Sequence, residues 1–425
     1  MGSYDKKRRK QQREQQKNRQ RDAVVSKIAN TPAAELTGRG SVDTEPALQE
    51  TSTCLCIDPL APVIVRSGRP FDAQSGPDPA RFPPPSTLAG CLRTAWARHN
   101  GVAFSPDLLK HEVRGPLLWR TGEILVPKPA DAMYFGHDEA AQVVRAAPHA
   151  LDADSGCDLP DGLLPVRLSQ EVKGKPGTGP SCWRLADLST FRANGMPSLR
   201  TLSEHGWSPP PGDLRTHVGI HEKSGAAKQG ILFQTVGLDF GASLSEPGLQ
   251  LLVRFAEPLP PVLVHLGGER RLAQMRPLAE ANWPQAPETL TREIQKAKGL
   301  ILTLLTPGLF AAGYRPAWLD EKLNDGSLCG TPPDCHGLRL RLRAVACERW
   351  QPQSGWDLAK RQPRATRKMI PAGAVYWFEI LECADSADLE RLWLSSIADQ
   401  PQDRLDGYAL SHPAPWRPTE QHIEE

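Results

Sequence analysis

The chain has 425 residues, 39% hydrophobic and 24% charged, a composition ordinary for a soluble protein with room for two or three domains and a substantial core. No apolar run nears the roughly 18 residues needed to span a membrane, the N-terminus lacks the apolar segment of a secretory signal, and nine scattered cysteines without CxxC spacing argue against a disulfide framework, so a cytoplasmic protein is expected. The net charge of +2 is uneven: residues 1–22 hold nine of the 51 Lys and Arg and three of the 49 Asp and Glu, which leaves the rest of the chain at −4. Nucleic-acid binding would therefore depend on local patches rather than on a globally basic surface.

MGSYDKKRRKQQREQQKNRQRD has no apolar residue after Tyr4 and offers no face to bury. It reads as a disordered, solvated tail, or as a basic arm adding non-specific affinity for phosphates; residues 23–52 continue the linker. Order is expected from near Cys54, where CLCIDPLAPVIV has β-branched, strand-like content broken by prolines. The stretch Arg66–Gly90, RSGRPFDAQSGPDPARFPPPSTLAG, holds six prolines and three glycines and can be neither a helix nor a central strand. Beyond it Leu88, Cys91, Leu92, Ala95 and Trp96 recur at helical spacing, with Ser86 as a candidate N-cap and Gly101 as the stop.

LLWRTGEILVPKPADA predicts a hairpin turning at Thr121-Gly122, and residues 147–213, rich in Pro, Gly and Asp, read as irregular loops. A second hairpin is expected in THVGIHEKSGAAKQGILFQTVGLDF, with its connection around Lys223 to Gln229, followed by a strand in GLQLLVRFAE. Further strands are expected in KGLILTLLTPGLF, LRLRLRAVACERW, MIPAGAVYWFEI and DGYALSHPAPW, with a helix in ADSADLERLWLSSIAD that places Leu389, Leu392, Trp393 and Ile397 on one face. YRPAWLDEKL is helical or irregular. The order β, (α), β, β, α, β over residues 296–425 matches a ferredoxin-like arrangement.

Several constellations could carry chemistry. LRLRLR puts Arg339, Arg341 and Arg343 on one face of a strand and leucines on the other: a solvated face over a core, or a binding face. KRQPRATRK gathers Lys360, Arg361, Arg364, Arg367 and Lys368 with no acid nearby, a natural counterpart for a phosphate backbone or else a solvated loop. HLGGERR sets Gly267 and Gly268 beside Arg270 and Arg271, so a phosphate could approach the main chain closely, although tight turns need glycine too. Neither GxxxxGK[ST] nor GxGxxG spacing is present there. His217 and His221 are four apart but in strand-like surroundings, and Cys329, Cys335 and His336 lack zinc-finger spacing, so no metal and no cofactor is expected. A metal-free ribonuclease could use His217 or His221 as base and Lys228 to steady a phosphorane.

Seven motifs in order, DPLAPVIVRSGRPFDA, FPPPSTLAGCLRTA, GPLLWRTGEILVPKPADA, VGIHEKSGAAKQGILF, LGGERRLA, SGWDLAKRQPR and PAGAVYWFE, span about Cys54 to Ile380. In these the sequence resembles the RAMP subunit of type III-B CRISPR effectors, the Cmr complex, that grips the 5′ end of the guide RNA. The C-terminal RLDGYALSHPAPW departs from it, being glycine-poor where such proteins usually have a glycine-rich loop.

The resemblance implies an α+β fold of two ferredoxin-like (RRM-like) RAMP domains with long loop and hairpin insertions. These would occupy residues 53–285 and 286–425, after a tail and linker over 1–52. It implies a non-catalytic subunit at the foot of the complex. Its partners would be the crRNA 5′ handle, the large Palm-domain subunit and the backbone RAMP subunits, with no membrane. A single-stranded handle is recognised through splayed bases, phosphates and 2′-hydroxyls.

Three contact groups are then expected: Arg66, Gly68, Arg69 and Phe71; His217, Lys223 and Lys228; and Gly267, Gly268, Arg270 and Arg271, with Lys360 and Arg361 beyond them. For Phe82 to Thr87 a scaffold role is favoured over RNA contact, and for Arg66 to Phe71 the reverse; on the scaffold reading Phe71 and Phe82 lie in the core, Asp72 pairs with Arg69 or Arg93, and Ser86 caps the helix. A guide-processing endoribonuclease and an assembly subunit touching only protein are the alternatives.

Overall fold

Strand Ser52–Pro59 explains how the chain is organised. Cys54, Leu55, Cys56 and Ile57 are all fully buried, so this strand does not alternate between core and water. A strand covered on both faces reads as a continuous apolar run. Leu55 and Ile57 join Leu88, Leu92, Val253 and Phe255 in one core, while Cys54 and Cys56 join Leu117, Leu252, Trp283, Leu305, Leu394 and Leu410 in another. The second cluster draws residues from both ends of the chain. Burial pushes the Cys54 and Cys56 thiols up to about 12, so they pack as small neutral groups.

The computed structural model of the chain describes residues 52–66, 78–136, 141–151, 154–241, 248–357 and 362–418, all within one compact unit, Leu48–Glu425. A seven-stranded sheet runs, edge to edge, Val262–His265, Leu272–Pro277, Ser52–Pro59, Gln250–Leu259, Val113–Arg120, Glu123–Pro127 and Cys182–Arg184, with every pairing antiparallel. Helix Pro85–His99 packs Leu88, Leu92 and Ala95 onto it. A six-stranded antiparallel sheet runs Glu321–Lys322, Leu328–Gly330, Leu338–Ala346, Val375–Cys383, Gly299–Leu304 and Ser411–Pro415. Helix Leu290–Ala297 buries Leu290 and Ile294 in the core beneath it, with Leu389 of the short helix Ala387–Arg391. No helix among the described residues is long and apolar enough to cross a membrane.

Local chemistry sets the boundaries. The hairpin between Val113–Arg120 and Glu123–Pro127 turns on Thr121 and Gly122, both at positive φ, as a two-residue turn requires. Helix Pro85–His99 ends at Asn100, and Gly101 follows at φ 64.

Four expectations are corrected. Ser86 does not cap its helix: Pro84 holds the N-cap position, and the Ser86 hydroxyl lies 2.9 Å from the Tyr408 hydroxyl. Residues 147–213 are not simply irregular, because helices Leu185–Arg192 and Leu199–His205 form around Trp183, Leu188, Phe191 and Leu202. The C-terminal helix stops at Arg391, since Leu394 takes φ 47 and its amide goes to the Ser411 carbonyl; Leu389, Leu392 and Ile397 are buried all the same, and a separate helix, Pro401–Asp406, follows. MIPAGAVYWFEI forms two strands, Arg367–Ile370 and Val375–Cys383, in different sheets.

Buried polar groups link remote segments. Arg93 Nη1 donates to Asp406 Oδ1 at 2.5 Å, and its other nitrogens reach the His111 and Leu405 carbonyls. Arg93 is thus paired with Asp406, and Asp72, its other expected partner, lies outside the described residues. Arg192 grips Asp131 through two bonds of 2.5 and 3.0 Å and also donates to Thr303 Oγ1. Such forks satisfy both partners in a site where either one alone would be a buried charge.

Candidate nucleic-acid interface

Of the expected contact residues, Gly68, Arg69, Phe71, Lys360 and Arg361 lie outside the described residues. The others are organised by one short segment, Leu60 to Arg66, which leaves strand Ser52–Pro59 and crosses the sheet edge. The Leu60 amide donates to the Leu272 carbonyl at 3.0 Å, and Val63 exchanges two backbone bonds of 2.8 Å with Leu238. The Ile64 carbonyl accepts from the Gly268 amide at 2.7 Å. Arg66 then reaches Glu269 at 3.5 Å, an exposed pair that contributes little stability but orients two cationic segments toward each other.

The Gly-Gly turn is a packed device. At Gly267, φ is +75 and an added Cβ would lie 2.5 Å from the Ile64 oxygen. Glu269 and Arg270 also take positive φ, at 55 and 50, and the turn closes through Leu266 N to Arg271 O at 2.9 Å. The Gly268 amide is thus committed to Ile64 and is not open to a phosphate, contrary to the sequence-based expectation for this glycine. What the turn displays is side chains: Arg270 is exposed, and Arg271 is half-buried with its Nε enclosed and without a hydrogen bond among the described residues.

Among the described residues, strands Asp213–Ile220 and Ala227–Gly237 form a two-stranded sheet paired only to each other. Its root is seated where Gly237 and Gly212 allow close approach: a Cβ would meet Pro62 at 2.7 Å in the first case and Val236 at 2.3 Å in the second. From Asp213 to Ile220 the arm extends roughly 24 Å at strand rise. His217 sits along it, stacked on Phe233 with centroids 4.9 Å apart, its Nε2 2.8 Å from Thr235 Oγ1. Lys223 is exposed in the tip turn, and Lys228 follows at the start of the return strand. Leu214, Val218, Ile220 and Leu232 are exposed. The root of this hairpin therefore joins Arg66 and the Gly-Gly turn at Leu60 to Arg66, while its lysines stand well away.

Two cationic runs resolve differently from expectation. Arg339 meets Glu321 and Glu382, and Arg341 meets Asp325 and Glu379, so the arginine face of Leu338–Ala346 is largely neutralised within the chain. Arg343 falls at a register shift and is buried, which holds its guanidinium below the usual value. In the KRQPRATRK run an acid is in fact near: Arg367 forms a fork with Asp403 at 2.8 and 2.7 Å. Phe82, expected in the core, is 37% exposed and leans on Phe240, which stacks on Trp207.

No group of His, Cys, Asp and Glu among the described residues is arranged to hold a metal ion. A cleft of about 840 Å³ is lined by Asp131, Arg145, Arg192, Lys296, Trp416 and their neighbours, and none of the expected contact residues that the structure describes lines it.

Two large antiparallel sheets, the first packed through Cys54, Cys56, Leu117 and Leu252 on Leu305 and Leu410 at the ends of the second's strands, with a cationic turn and a projecting hairpin rooted on one crossing segment, define an α+β protein that presents a loop-borne polar edge. The family model described as CRISPR-associated protein (Cas_Cmr3) matches residues 55–416, most of the chain, and the chain belongs to that family, that of a type III-B Cmr RAMP-like subunit. No curated protein matches it. Among solved structures it is similar to a chain of the Type III-B Cmr-beta complex bound to cognate target RNA. Identity there is 15% and the TM-score 0.42, over 76% of this chain and 86% of that chain. A chain of the Csm3-Csm4 subcomplex in the type III-A CRISPR-Cas interference complex gives 8%, 0.33, 78% and 94% for the same quantities.

Proposed function

We propose that this chain is the RNA-binding, non-catalytic subunit of a type III-B Cmr effector complex that holds the 5′ handle of the crRNA. In this reading it bridges the large Palm-domain subunit to the backbone RAMP subunits. Family membership supports the setting. The observation that carries the RNA role is the convergence of Arg66, the Gly267–Arg271 turn and the root of the His217 hairpin on residues 60–66. Single-stranded RNA is recognised by side chains reaching splayed bases and phosphates from loops, and this edge supplies such loops on a sheet that holds them in place.

The fold reading is finer than the α+β description. In each sheet the four long strands, taken in chain order, lie 4-1-3-2: Leu272–Pro277, Ser52–Pro59, Gln250–Leu259, Val113–Arg120, and Ser411–Pro415, Gly299–Leu304, Val375–Cys383, Leu338–Ala346. That is the order of a ferredoxin-like unit, and we read residues 53–285 and 286–425 as two such units. The first lacks a second helix, its place taken by the Gly-Gly turn and strand Val262–His265. In the second, short strands and irregular chain replace the first helix.

The test is handle-RNA binding and complex assembly for Arg270→Ala with Arg271→Ala. Weaker binding with a shallower salt dependence is expected; unchanged affinity and unchanged salt slope would remove this patch from the interface. Incubating the pure protein with repeat RNA in chelator addresses catalysis, and specific cleavage lost on His217→Ala would overturn the binding reading.

A further inference from the structure

Residues 348–368 carry six Lys or Arg against two acids, in a chain whose charge beyond residue 22 is −4. Part of this cationic surplus is held on a small sheet, where strand Gln351–Gln353 pairs with Arg367–Ile370 and Pro352 lies opposite Lys368. Arg367 is engaged by Asp403. Arg349, Arg364 and Lys368 are exposed, and no acidic side chain among the described residues pairs with them.

Trp350 immediately precedes this sheet and is 46% exposed, whereas Trp183, Trp283 and Trp377 are buried. The sheet buries Gln353, Met369 and Ile370 instead, so the indole does not serve as its core. The Lys368 ammonium lies 5.4 Å from the Trp350 ring centroid. The unit is fixed to the stretch that leads into helix Pro85–His99, because Arg81 donates to the Pro352 carbonyl at 3.3 Å and to Gln351 Oε1 at 3.4 Å.

We propose that Trp350 is a stacking platform for one unpaired base of a single-stranded RNA, with Lys368, Arg349 and Arg364 on the flanking phosphates. The proposal rests on the RNA-binding reading above and adds a contact site that the cationic motifs alone did not indicate. An exposed indole with Lys368 over its ring and Arg349 next to it in the chain, neither with an acidic partner among the described residues, fits a ligand that is aromatic and anionic at alternate positions along its length, as a single strand is. The ammonium over the ring is no obstacle, since an exposed cation–π contact is weaker than a base–indole stack and a lysine side chain turns aside freely.

The experiment uses the full chain and a short unstructured labelled RNA, comparing wild type, Trp350→Ala, Trp350→Phe, Lys368→Ala and the Arg270→Ala/Arg271→Ala pair. Trp350→Ala should weaken binding about tenfold with an unchanged salt slope, because the lost stack carries no charge. Trp350→Phe should restore most of the affinity, and Lys368→Ala should lower the salt slope by about 0.7. Unchanged affinity in Trp350→Ala, or a phenylalanine variant as weak as the alanine one, overturns the platform. Loss of binding in the Arg270/Arg271 pair alone overturns the platform and leaves the RNA reading standing; a wild type that binds no RNA overturns both. If Trp350→Ala keeps its RNA affinity but releases a neighbouring subunit from the assembled complex, the face is a protein interface and the proposal fails.

Discussion

Gly268 donates its amide hydrogen to the Ile64 carbonyl at 2.7 Å, across 204 positions of sequence. Beside it, Gly267 sits at φ +75 with the same oxygen 2.5 Å from where a Cβ would be. A side chain at Gly267 is excluded on both conformational and steric grounds. Gly267→Ala should therefore cost about 1–3 kcal/mol of stability, and should weaken handle-RNA binding by moving Arg270 and Arg271 off the edge. Gly268→Ala meets that oxygen only at 3.4 Å and should be milder. Denaturant titration beside RNA titration checks the order; equal effects of the two variants would contradict it.

The Arg93–Asp406 pair ties helix Pro85–His99 to helix Pro401–Asp406, with both side chains buried. Arg93→Ala removes the cation paired with the Asp406 carboxylate, which keeps Gln402 Nε2 as a donor, and takes the guanidinium away from the His111 and Leu405 carbonyls. A loss of about 3–5 kcal/mol is expected. Combining Arg93→Met with Asp406→Leu should be much less damaging, because no buried charge then stands alone. A double variant as unstable as Arg93→Ala would show that the guanidinium hydrogen bonds to the carbonyls matter more than the charge pair.

His412 is buried with neither ring nitrogen hydrogen-bonded among the described residues, against Trp393 at 4.8 Å. Burial, helped by the nearby Arg192 guanidinium, pushes its pKa down to about 3 from an ordinary 6.5. Below pH 6.5 the unfolded chain takes up a proton that the folded chain refuses. The stability associated with neutral His412 is fully present above pH 6.5 and is lost progressively as the pH falls toward 3. His412→Phe should remove that component, so the difference in unfolding free energy between variant and wild type should shift in the variant's favour from pH 7 to pH 4. A pH-independent difference would mean that His412 becomes charged within the fold.

Lys223 and Lys228 lie at and beyond the far end of the hairpin, away from any buried cluster. Lys223→Ala with Lys228→Ala should leave the thermal midpoint unchanged. If both touch phosphates, the slope of log affinity against log salt should fall by about 1.4, given ~0.7 per contact on a single strand. An unchanged slope would confine the RNA to the hairpin root and the Gly-Gly turn.

Much of this architecture was legible in periodicity. Alternation in LRLRLR placed Leu338, Leu340 and Leu342 in the core, because a strand has two faces and only one was apolar. Thr121-Gly122 marked its turn because few residue pairs adopt positive φ together. Where local signals misled, a distant partner had intervened. Ser86 is a good cap by type, yet its hydroxyl was drawn to Tyr408, 322 positions away. The helix expected through Ile397 breaks at Leu394, whose amide is taken by Ser411. The acids that neutralise Arg339, Arg341 and Arg367 come from 18, 16 and 36 positions away respectively, beyond any window of charge pattern.

The candidate interface divides along the same line. Residue type alone marked Arg66, Gly267, Gly268, Arg270 and Arg271 as unusual, because cations beside glycine stand out in a chain with an acidic body. The tertiary structure decided that Gly268 spends its amide on Ile64, that Val63 anchors the hairpin root through Leu238, and that Trp350 remains at the surface beside Lys368. Periodicity and residue type are written within a few positions of each other, so they can be read from the chain; hydrogen-bond partners and exposure depend on which distant segments meet, and folding alone sets those.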